Sequence, residues 1–234
     1  MVKPSLDTLQ DLVGYRFRNP NLLLEALTHT SYAQESSRRG RDNEQLEFLG
    51  DAVLNFLVSV RLADKFPEYQ EGKLSRARAR LVAAGHLSQV ASKLELGTYL
   101  RLGRGEEKTG GRDKSRLLVD ALEALMAAIY RDGGLRAAQQ FVKRFILPQD
   151  LAAAASELFL IDYKSALQEN LQGEHRGPAV YRVVGEAGPE HRKTFTVEVD
   201  AGHGLAAQGV GRSKKAAEQE AAKVLLEFLK RSSE

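Results

Sequence analysis

The sequence predicts two domains of different class, an all-α domain followed by a small α+β domain. Up to about residue 148, apolar residues recur at helical spacing and no stretch alternates as a convincing strand would. After residue 162, a helical pattern is followed by three short alternating runs and a second helical pattern. We therefore place the domains at 1–148 and 162–234, joined by a short, alanine-rich linker at 149–161.

Composition excludes several classes of protein. The chain of 234 residues is 43% hydrophobic, which is enough for a real core, and 28% charged. It contains no cysteine, so disulfides, thiolate zinc sites and a cysteine nucleophile are excluded. We find no run of about 18 apolar residues and no signal peptide, so we expect a cytoplasmic protein with no membrane partner. The net charge of +3 does not by itself indicate nucleic acid.

Two short helices are predicted between residues 5 and 27, the second beginning with Asn19 as its cap and Pro20 in its first turn. His29 follows the second helix, where capping or packing near a helix end is favoured over a role as a ligand. Residues 36–42 form a polar, basic loop before the next helix.

The next helix begins near Asn43 and carries acids on an otherwise apolar surface. At about 100° per residue, Glu44, Glu47 and Asp51 fall within an arc of roughly 60°. The opposite side is predicted to be a core stripe that consists of Leu46, Leu49, Val53, Phe56 and Leu57. Three like charges on a half-buried face repel one another and are costly to desolvate, so we expect a cation there, most simply a divalent one.

A second apolar helix over Ser115–Tyr130 carries Asp120 and Glu123 at i, i+3. If the two acidic helices pack together, Asp120, Glu123 and Glu71 would lie close to the three acids of the first helix. Six carboxylates would then be within reach of one another. Oxygen ligands of this kind bind Mg²⁺, which can activate water and stabilise a leaving oxygen, as phosphodiester hydrolysis requires. The alternative is that the acids form structural ion pairs with the many arginines.

Between these helices lie a basic helix and a charged, glycine-rich segment. Arg76 and Arg80 share one face of the basic helix at i, i+4, which is either a solvated surface or a set of phosphate contacts. Gly103–Lys114 matches no phosphate-binding loop, because no strand precedes it and no Gly-Lys-Ser/Thr closes it. We predict a mobile loop there.

In the second domain, a helix over Tyr163–Leu171, three strands and a closing helix from Lys214 to about Lys230 predict a helix pair on one face of an antiparallel sheet. The strands are predicted at Ala179–Val184, Thr194–Val199 and Gly204–Val210. Backbone N–H groups and lysines near the start of the closing helix suit phosphate oxygens, the alternative being a solvated helix terminus.

The stretch Asn43–Leu54, which reads NEQLEFLGDAVL, closely resembles the signature of bacterial ribonuclease III. The likeness continues through Glu71–Arg76 and Asp120–Tyr130. From Asp162 onwards the chain resembles a double-stranded RNA-binding domain, most specifically at Ser213–Ala222. The resemblance covers nearly the whole chain and implies an all-α endonuclease domain followed by an α-β-β-β-α double-stranded RNA-binding domain.

The resemblance implies an endonuclease that uses Mg²⁺ to hydrolyse both strands of double-stranded RNA. It would leave 5′-phosphate and 3′-hydroxyl ends with short 3′ overhangs, and Mn²⁺ is expected to substitute for Mg²⁺. Ribosomal RNA precursors and other structured transcripts are the expected substrates. A homodimer is also implied, since a two-fold axis places one site at each strand of an antiparallel duplex.

The resemblance also assigns roles to individual residues of the first domain. The implied metal-binding residues are Glu47, Asp51, Asp120 and Glu123. Of these, Asp51 and Glu123 match the family's catalytic positions. Glu44 and Glu71 match accessory acids that help shape the site and the dimer. Phe48 matches an aromatic residue that the family buries across its two-fold interface.

In the second domain, Gln168 and Gln172 match positions that face the groove of the duplex, and His191 matches a loop that enters the minor groove. Lys214 and Lys215 match phosphate contacts over the intervening major groove. Such contacts recognise the A-form shape and the 2′-hydroxyls more than the base sequence.

Three features depart from the family pattern. Gln45 replaces the usual basic residue, Ala52 replaces the usual small hydroxyl residue, and the linker is short. No carboxylate is lost, so we expect activity. The rival hypotheses are a non-enzymatic RNA-binding protein on the same fold and a structural all-α dimer whose acids form ion pairs.

Overall fold

The computed structural model describes residues 5–36, 41–159, 163–189 and 193–232. These residues form two compact units, and the first of them ends with Phe159. None of the described helices combines the length and the apolar composition that crossing a membrane requires.

The first unit is helical, as predicted. Its helices are α1 (Leu6–Val13), α2 (Pro20–Ala26), α3 (Thr30–Glu35), α4 (Glu44–Lys65), α5 (Glu71–Leu81), α6 (Ala84–Lys93), α7 (Leu96–Tyr99), α8 (Arg104–Lys108), α9 (Ser115–Phe141) and α10 (Ala155–Leu158). A 3₁₀ turn at Gly111–Asp113 precedes α9 and a π turn at Val142–Ile146 follows it. Gly134, with a φ of 74°, interrupts α9.

Helices α4 and α9 pack against each other along the centre of the first unit. Leu122, Leu125 and Ile129 of α9 are buried, as are Leu54 and Leu57 of α4, although α4 also has an exposed outer face. The closest approach is at Gly50, where a Cβ atom would lie 1.8 Å from the carbonyl oxygen of Glu123. Only glycine permits this contact between the two backbones.

The core stripe predicted for α4 is wrong at one position. Phe56 is 52% exposed and is not in the core. The buried side of α4 is centred on Gly50, Leu54 and Leu57, and at about 100° per residue Phe56 lies about 140° from that centre. Phe56 therefore shares the outer face with Phe48, which is 81% exposed.

The segment Gly103–Lys114, which we predicted to be a mobile loop, is instead held in place by ion pairs and hydrogen bonds. Arg112 donates to both carboxylate oxygens of Glu107, at 2.6 and 2.7 Å, and to the carbonyl oxygen of Gly97 at 2.6 Å. Lys114 donates to Glu106 at 2.6 Å. One guanidinium group thus joins α8, the 3₁₀ turn and α7, because it offers five donors in a planar arrangement.

Residues expected to be a linker belong largely to the first unit. Leu151 and Leu158 are buried in its core, and the ring of Phe159 packs edge-on against Tyr69 with centroids 4.4 Å apart. Arg80 donates to the carbonyl oxygen of Leu158 at 3.0 Å, so its role here is structural. Arg76 is exposed. The end of the expected linker, 160–161, lies outside the described residues, as does the first residue of the predicted second domain, Asp162.

The second unit has the predicted α-β-β-β-α order. It comprises α11 (Tyr163–Gly173), β1 (Val180–Ala187), β2 (Thr194–Asp200), β3 (Ala206–Gly211) and α12 (Lys214–Ser232). The strands form an antiparallel sheet in the order β1-β2-β3, with an irregularity in β1 between Val183 and Gly185. The core, which includes Leu167, Val199 and Leu225, lies between the two helices and the sheet.

Replacement of Gly50 by alanine should destabilise the first unit, because the added methyl group must push α4 away from the backbone of Glu123. We expect the free energy of unfolding to fall by about 2 kcal/mol or more. Gly85, which lies in α6 with no atom within 4 Å of its would-be Cβ, is the matched control. Gly85→Ala should be neutral or stabilising by up to about 1 kcal/mol. Urea denaturation followed by circular dichroism measures both, and equal stabilities would contradict this packing.

Candidate active site

The contact at Gly50 brings acids from two helices together. Glu47 and Asp51 flank Gly50 on α4, and Asp120 and Glu123 lie on the facing part of α9. The four carboxylates interact electrostatically across this contact. We call them the acid cluster.

The acid cluster holds unbalanced negative charge. Burial, followed by the negative charges of Asp51, Glu47 and Asp120, raises the pKa of Glu123 to about 7. Burial also raises the pKa of Glu47, with Asp120 the largest charged contributor. The pKa of Asp120 is raised by burial, and Arg116 and His29 offset this only in part. These raised pKa values are the expected response of like charges confined together.

Ion pairs do not balance this charge. Arg116 approaches Asp120 at 3.9 Å, but its side chain is 90% exposed, so the pair is weak. Among the side chains that the structure describes, no cation forms an ion pair with Glu47, Asp51 or Glu123. The alternative of structural ion pairs thus lacks partners for three of the four acids.

Asn55 orients one acid of the cluster. Its amide nitrogen donates to the carboxylate of Asp51 at 2.8 Å and to the Asp51 carbonyl oxygen at 3.0 Å. The sequence carried a signal for this contact, since an amide four residues after a carboxylate lies on the same helix face. Our sequence analysis missed both Asn55 and Arg116.

The two remaining acids lie outside the acid cluster. Glu44 raises the pKa of Glu47 more than Asp51 does, but it lies at the edge of the cluster and borders a separate surface cavity. Glu71 accepts a hydrogen bond from Ser75 at 2.6 Å and lines a cavity with Ser59. Because Ser59 is about 12 Å along α4 from Asp51, the expectation of six mutually close acids is wrong for a single chain.

An apolar stripe runs along the outer face of α4. Phe48, Ala52 and Phe56 follow one another at i, i+4 and i+8, and all three are exposed. Beside Phe48 is a surface cavity of about 430 Å³ that Leu49 and Arg131 also line. Large exposed aromatic residues in a row indicate an interaction surface.

In the second unit, the predicted RNA-contacting residues lie on its two helices. Gln168 and Gln172 are one turn apart on α11, with Gln172 exposed and Gln168 accepting a hydrogen bond from the Ala179 backbone at 3.4 Å. Lys214 and Lys215 are exposed at the start of α12. His191 lies outside the described residues.

Comparison with known proteins gives a consistent result for both units. The Ribonuclease-III-like family model matches residues 19–150, and the double-stranded RNA binding motif matches residues 163–229. The chain is 52% identical to "Ribonuclease 3" of Solibacter usitatus, over 93% of this chain and 84% of that protein. The chain belongs to the ribonuclease III family. "Ribonuclease 3" of Magnetococcus marinus is 47% identical, over 96% of this chain and 93% of that protein.

Solved structures support the family assignment. The nuclease domain of ribonuclease III from Campylobacter jejuni aligns with a TM-score of 0.56 at 39% identity, covering 61% of this chain and 93% of that one. A second structure of that domain, described by the flexibility of a region involved in dimer formation, aligns with a TM-score of 0.57 at 36% identity, covering 67% of this chain and 100% of that one. This member of the ribonuclease III family is an endoribonuclease of double-stranded RNA.

The donor chemistry of the acid cluster in this ribonuclease III-family enzyme fits a hard divalent cation. As the described side chains stand, no three acids or histidines are arranged to hold a metal ion directly. Mg²⁺ needs no such set, because it usually binds through one or two carboxylates and keeps several waters. The elevated pKa of Glu123 is the observation that favours a cation, since a cation would restore the ionised form of this carboxyl group.

In metal-free protein, the Glu123 carboxyl group should titrate near pH 7 in carbon-detected NMR. Asp51→Asn should lower this pKa, because it removes the largest charge that acts on Glu123. Native Glu123 holds its proton to a higher pH than the unfolded chain does, so metal-free stability should fall as the pH rises from about 4.5 to about 7. A Glu123 midpoint near 4.5 in the wild-type protein would contradict this electrostatic account.

Proposed function

We propose that this ribonuclease III-family enzyme hydrolyses phosphodiesters in both strands of double-stranded RNA with Mg²⁺ bound at the acid cluster. The observation that carries the proposal is the set of four carboxylates at the α4–α9 contact, three of which have raised pKa values. Mn²⁺ prefers the same oxygen ligands and is expected to substitute. The products would carry 5′-phosphate and 3′-hydroxyl ends with short 3′ overhangs.

The four acids would have different roles in metal binding and catalysis, according to their positions. When bound, Mg²⁺ lowers the pKa of a coordinated water and stabilises charge on the leaving oxygen. Asn55 orients the carboxylate of Asp51, and the backbone of Glu123 lies in direct contact with Gly50. We assign Asp51 and Glu123 the catalytic positions, with Glu47 and Asp120 completing the metal-binding set.

The apolar stripe on α4 supports a homodimer. Phe48, Ala52 and Phe56 would be covered by a second copy, with the cavity beside Phe48 receiving an apolar side chain of the partner. Burying two exposed aromatic rings per chain is favourable. A two-fold axis would place two acid clusters across a duplex, and Glu44 and Glu71 would then shape the rims of the sites.

The second unit would recognise the A-form shape of the duplex. Lys214 and Lys215 would contact phosphates, while Gln168, Gln172 and the loop with His191 would face the minor groove. Contacts of this kind carry little sequence information. Structured transcripts such as ribosomal RNA precursors therefore fit the proposal as substrates, because long duplex character is what these contacts detect.

Glu123→Gln should reduce duplex cleavage by about a thousandfold or more and leave duplex binding near the wild-type level. It keeps the size of the side chain and removes the charge that would bind the cation. The assay follows a labelled RNA duplex with Mg²⁺, with Mn²⁺, with Ca²⁺ and with a chelator, and maps the product ends. Glu68→Gln, at an exposed acid outside the acid cluster, is the matched control. Absence of metal-dependent cutting by the wild-type enzyme would refute the proposed function, and equal cutting by Glu123→Gln would refute the assigned role.

Phe48→Ala should shift the protein from dimer towards monomer, since it removes the most exposed ring of the apolar stripe. Light scattering over a range of concentrations measures the molar mass directly. Phe228→Ala, which truncates a ring that is 55% exposed in the second unit, serves as the control. If Phe48→Ala associates as strongly as the wild type does, the interface lies elsewhere.

A further inference from the structure

The backbone around His29 is fixed from two directions. The His29 N–H donates to the carbonyl oxygen of Arg101 at 3.1 Å, and the Arg101 N–H donates to that of Leu27 at 2.8 Å. The Asn43 N–H donates to the carbonyl oxygen of Thr28 at 2.9 Å, which ties the segment to the start of α4. His29 therefore cannot move independently of the helix that carries Glu47 and Asp51.

The imidazole ring is fixed as well, as a cap on α3. The Ser31 N–H donates to Nδ1 of His29 at 3.2 Å, and Oγ of Ser31 lies 2.8 Å from the same nitrogen. That Oγ accepts the Gly103 N–H at 2.9 Å, which leaves its own hydrogen to donate to Nδ1. The predicted capping role of His29 is thus confirmed. Because Nδ1 is the acceptor, the neutral ring must carry its proton on Nε2.

The Nε2–H group has no acceptor within the part of the chain that the structure describes. The residue nevertheless lies near the acid cluster, because Asn43, which is hydrogen-bonded to Thr28, is one helical turn before Glu47 and its carbonyl oxygen accepts the Glu47 N–H at 2.8 Å. His29 acts on the pKa of Asp120, and it also adds to the lowering that Lys114 causes at Glu106. Glu106 is already held by Lys114 at 2.6 Å. A rigidly aimed donor without an acceptor, next to a candidate active site, indicates a contact with something that the site binds.

We propose that His29 binds the substrate directly, its Nε2–H donating to a non-bridging phosphate oxygen of the RNA strand that is cut at the acid cluster. This inference rests on the proposed function. A phosphate oxygen is the acceptor that a duplex backbone offers most densely, and a ring nitrogen is a suitable donor to it. Capping alone would not account for the choice of residue, since serine, threonine, aspartate or asparagine caps a helix at least as well.

Two substitutions separate substrate binding from capping. His29→Asn keeps a side-chain acceptor for the Ser31 N–H but has no group that reaches as far as Nε2. His29→Gln weakens the cap but carries an amide N–H near the position of Nε2. We expect His29→Asn to cleave a duplex about tenfold more slowly than the wild type in single-turnover conditions. We expect His29→Gln to stay within about threefold, although it has the lower Tm. The reverse order of cleavage rates would overturn the proposal.

A chemical substitution in the RNA identifies the acceptor. Single methylphosphonate groups, each of which replaces a phosphate oxygen, are placed in turn along the strand near the cut. Affinity is measured with Ca²⁺ in place of Mg²⁺, so no turnover is needed. In the wild type one position should lose about tenfold in affinity, and His29→Asn should lose nothing further at that position. Equal losses in the two proteins at every position would overturn the proposal.

The control is His203→Asn, which makes the same change at an exposed position in the β2–β3 turn. Asparagine tolerates the positive φ of 56° found there. This variant should match the wild type in rate and affinity. If the wild type fails to cleave at all, the proposed function fails. If it cleaves normally and His29→Asn matches it in rate and affinity, only the role of His29 fails.

Discussion

The backbone contact between Gly50 and Glu123 is the constraint on which the nuclease unit depends. It sets the distance between the two central helices, so it also sets the distance between the carboxylates on either side of it. The apolar residues that surround both helices exclude water from the contact, and burial is the largest cause of the raised pKa of Glu123. Core packing and the electrostatics of the site therefore have a common cause. The packing that stabilises the unit is also what raises the pKa of Glu123.

Helical periodicity made much of this arrangement predictable. The spacing of Glu47 and Asp51, and of Asp120 and Glu123, fixes each pair on one helix face before any tertiary contact is known. The errors arose where the deciding partner is distant in sequence. The glycine-rich segment was expected to be mobile because Arg112 donates to carbonyl groups outside the segment, such as that of Gly97. The local sequence gives no indication of these acceptors. Phe159, which was expected to lie in the linker, packs on the first unit because of Tyr69, an aromatic partner that is distant in sequence.

Helix α4 carries three surfaces, and their angular order explains where it departs from our expectation. Its buried side is centred near Gly50 and its acids lie on one flank, so the opposite side is left to the apolar stripe. Ala52 lies in the middle of that stripe, between two phenylalanines, where a methyl group suits an apolar interface. Phe56 was misplaced because periodicity alone gives the separation of two residues around a helix, while the direction of the core must come from packing.

Two acids of α9, Glu123 and Asp132, differ in how their charge is balanced. Asp132, nine residues later, accepts hydrogen bonds from the hydroxyl of Tyr15 at 2.7 Å and from the backbone of Arg18 and Asn19 at 2.8 and 2.9 Å. Although burial by itself would raise the pKa of Asp132, these donors hold it below its usual value. No described group donates to the side chain of Glu123, whose pKa is raised to about 7. Asp132 thus shows how the fold supplies hydrogen-bond donors to a structural carboxylate on this helix. At Glu123 the oxygens remain available, and a cation bound there would balance both the charge and the hydrogen-bonding capacity that the protein leaves unmet.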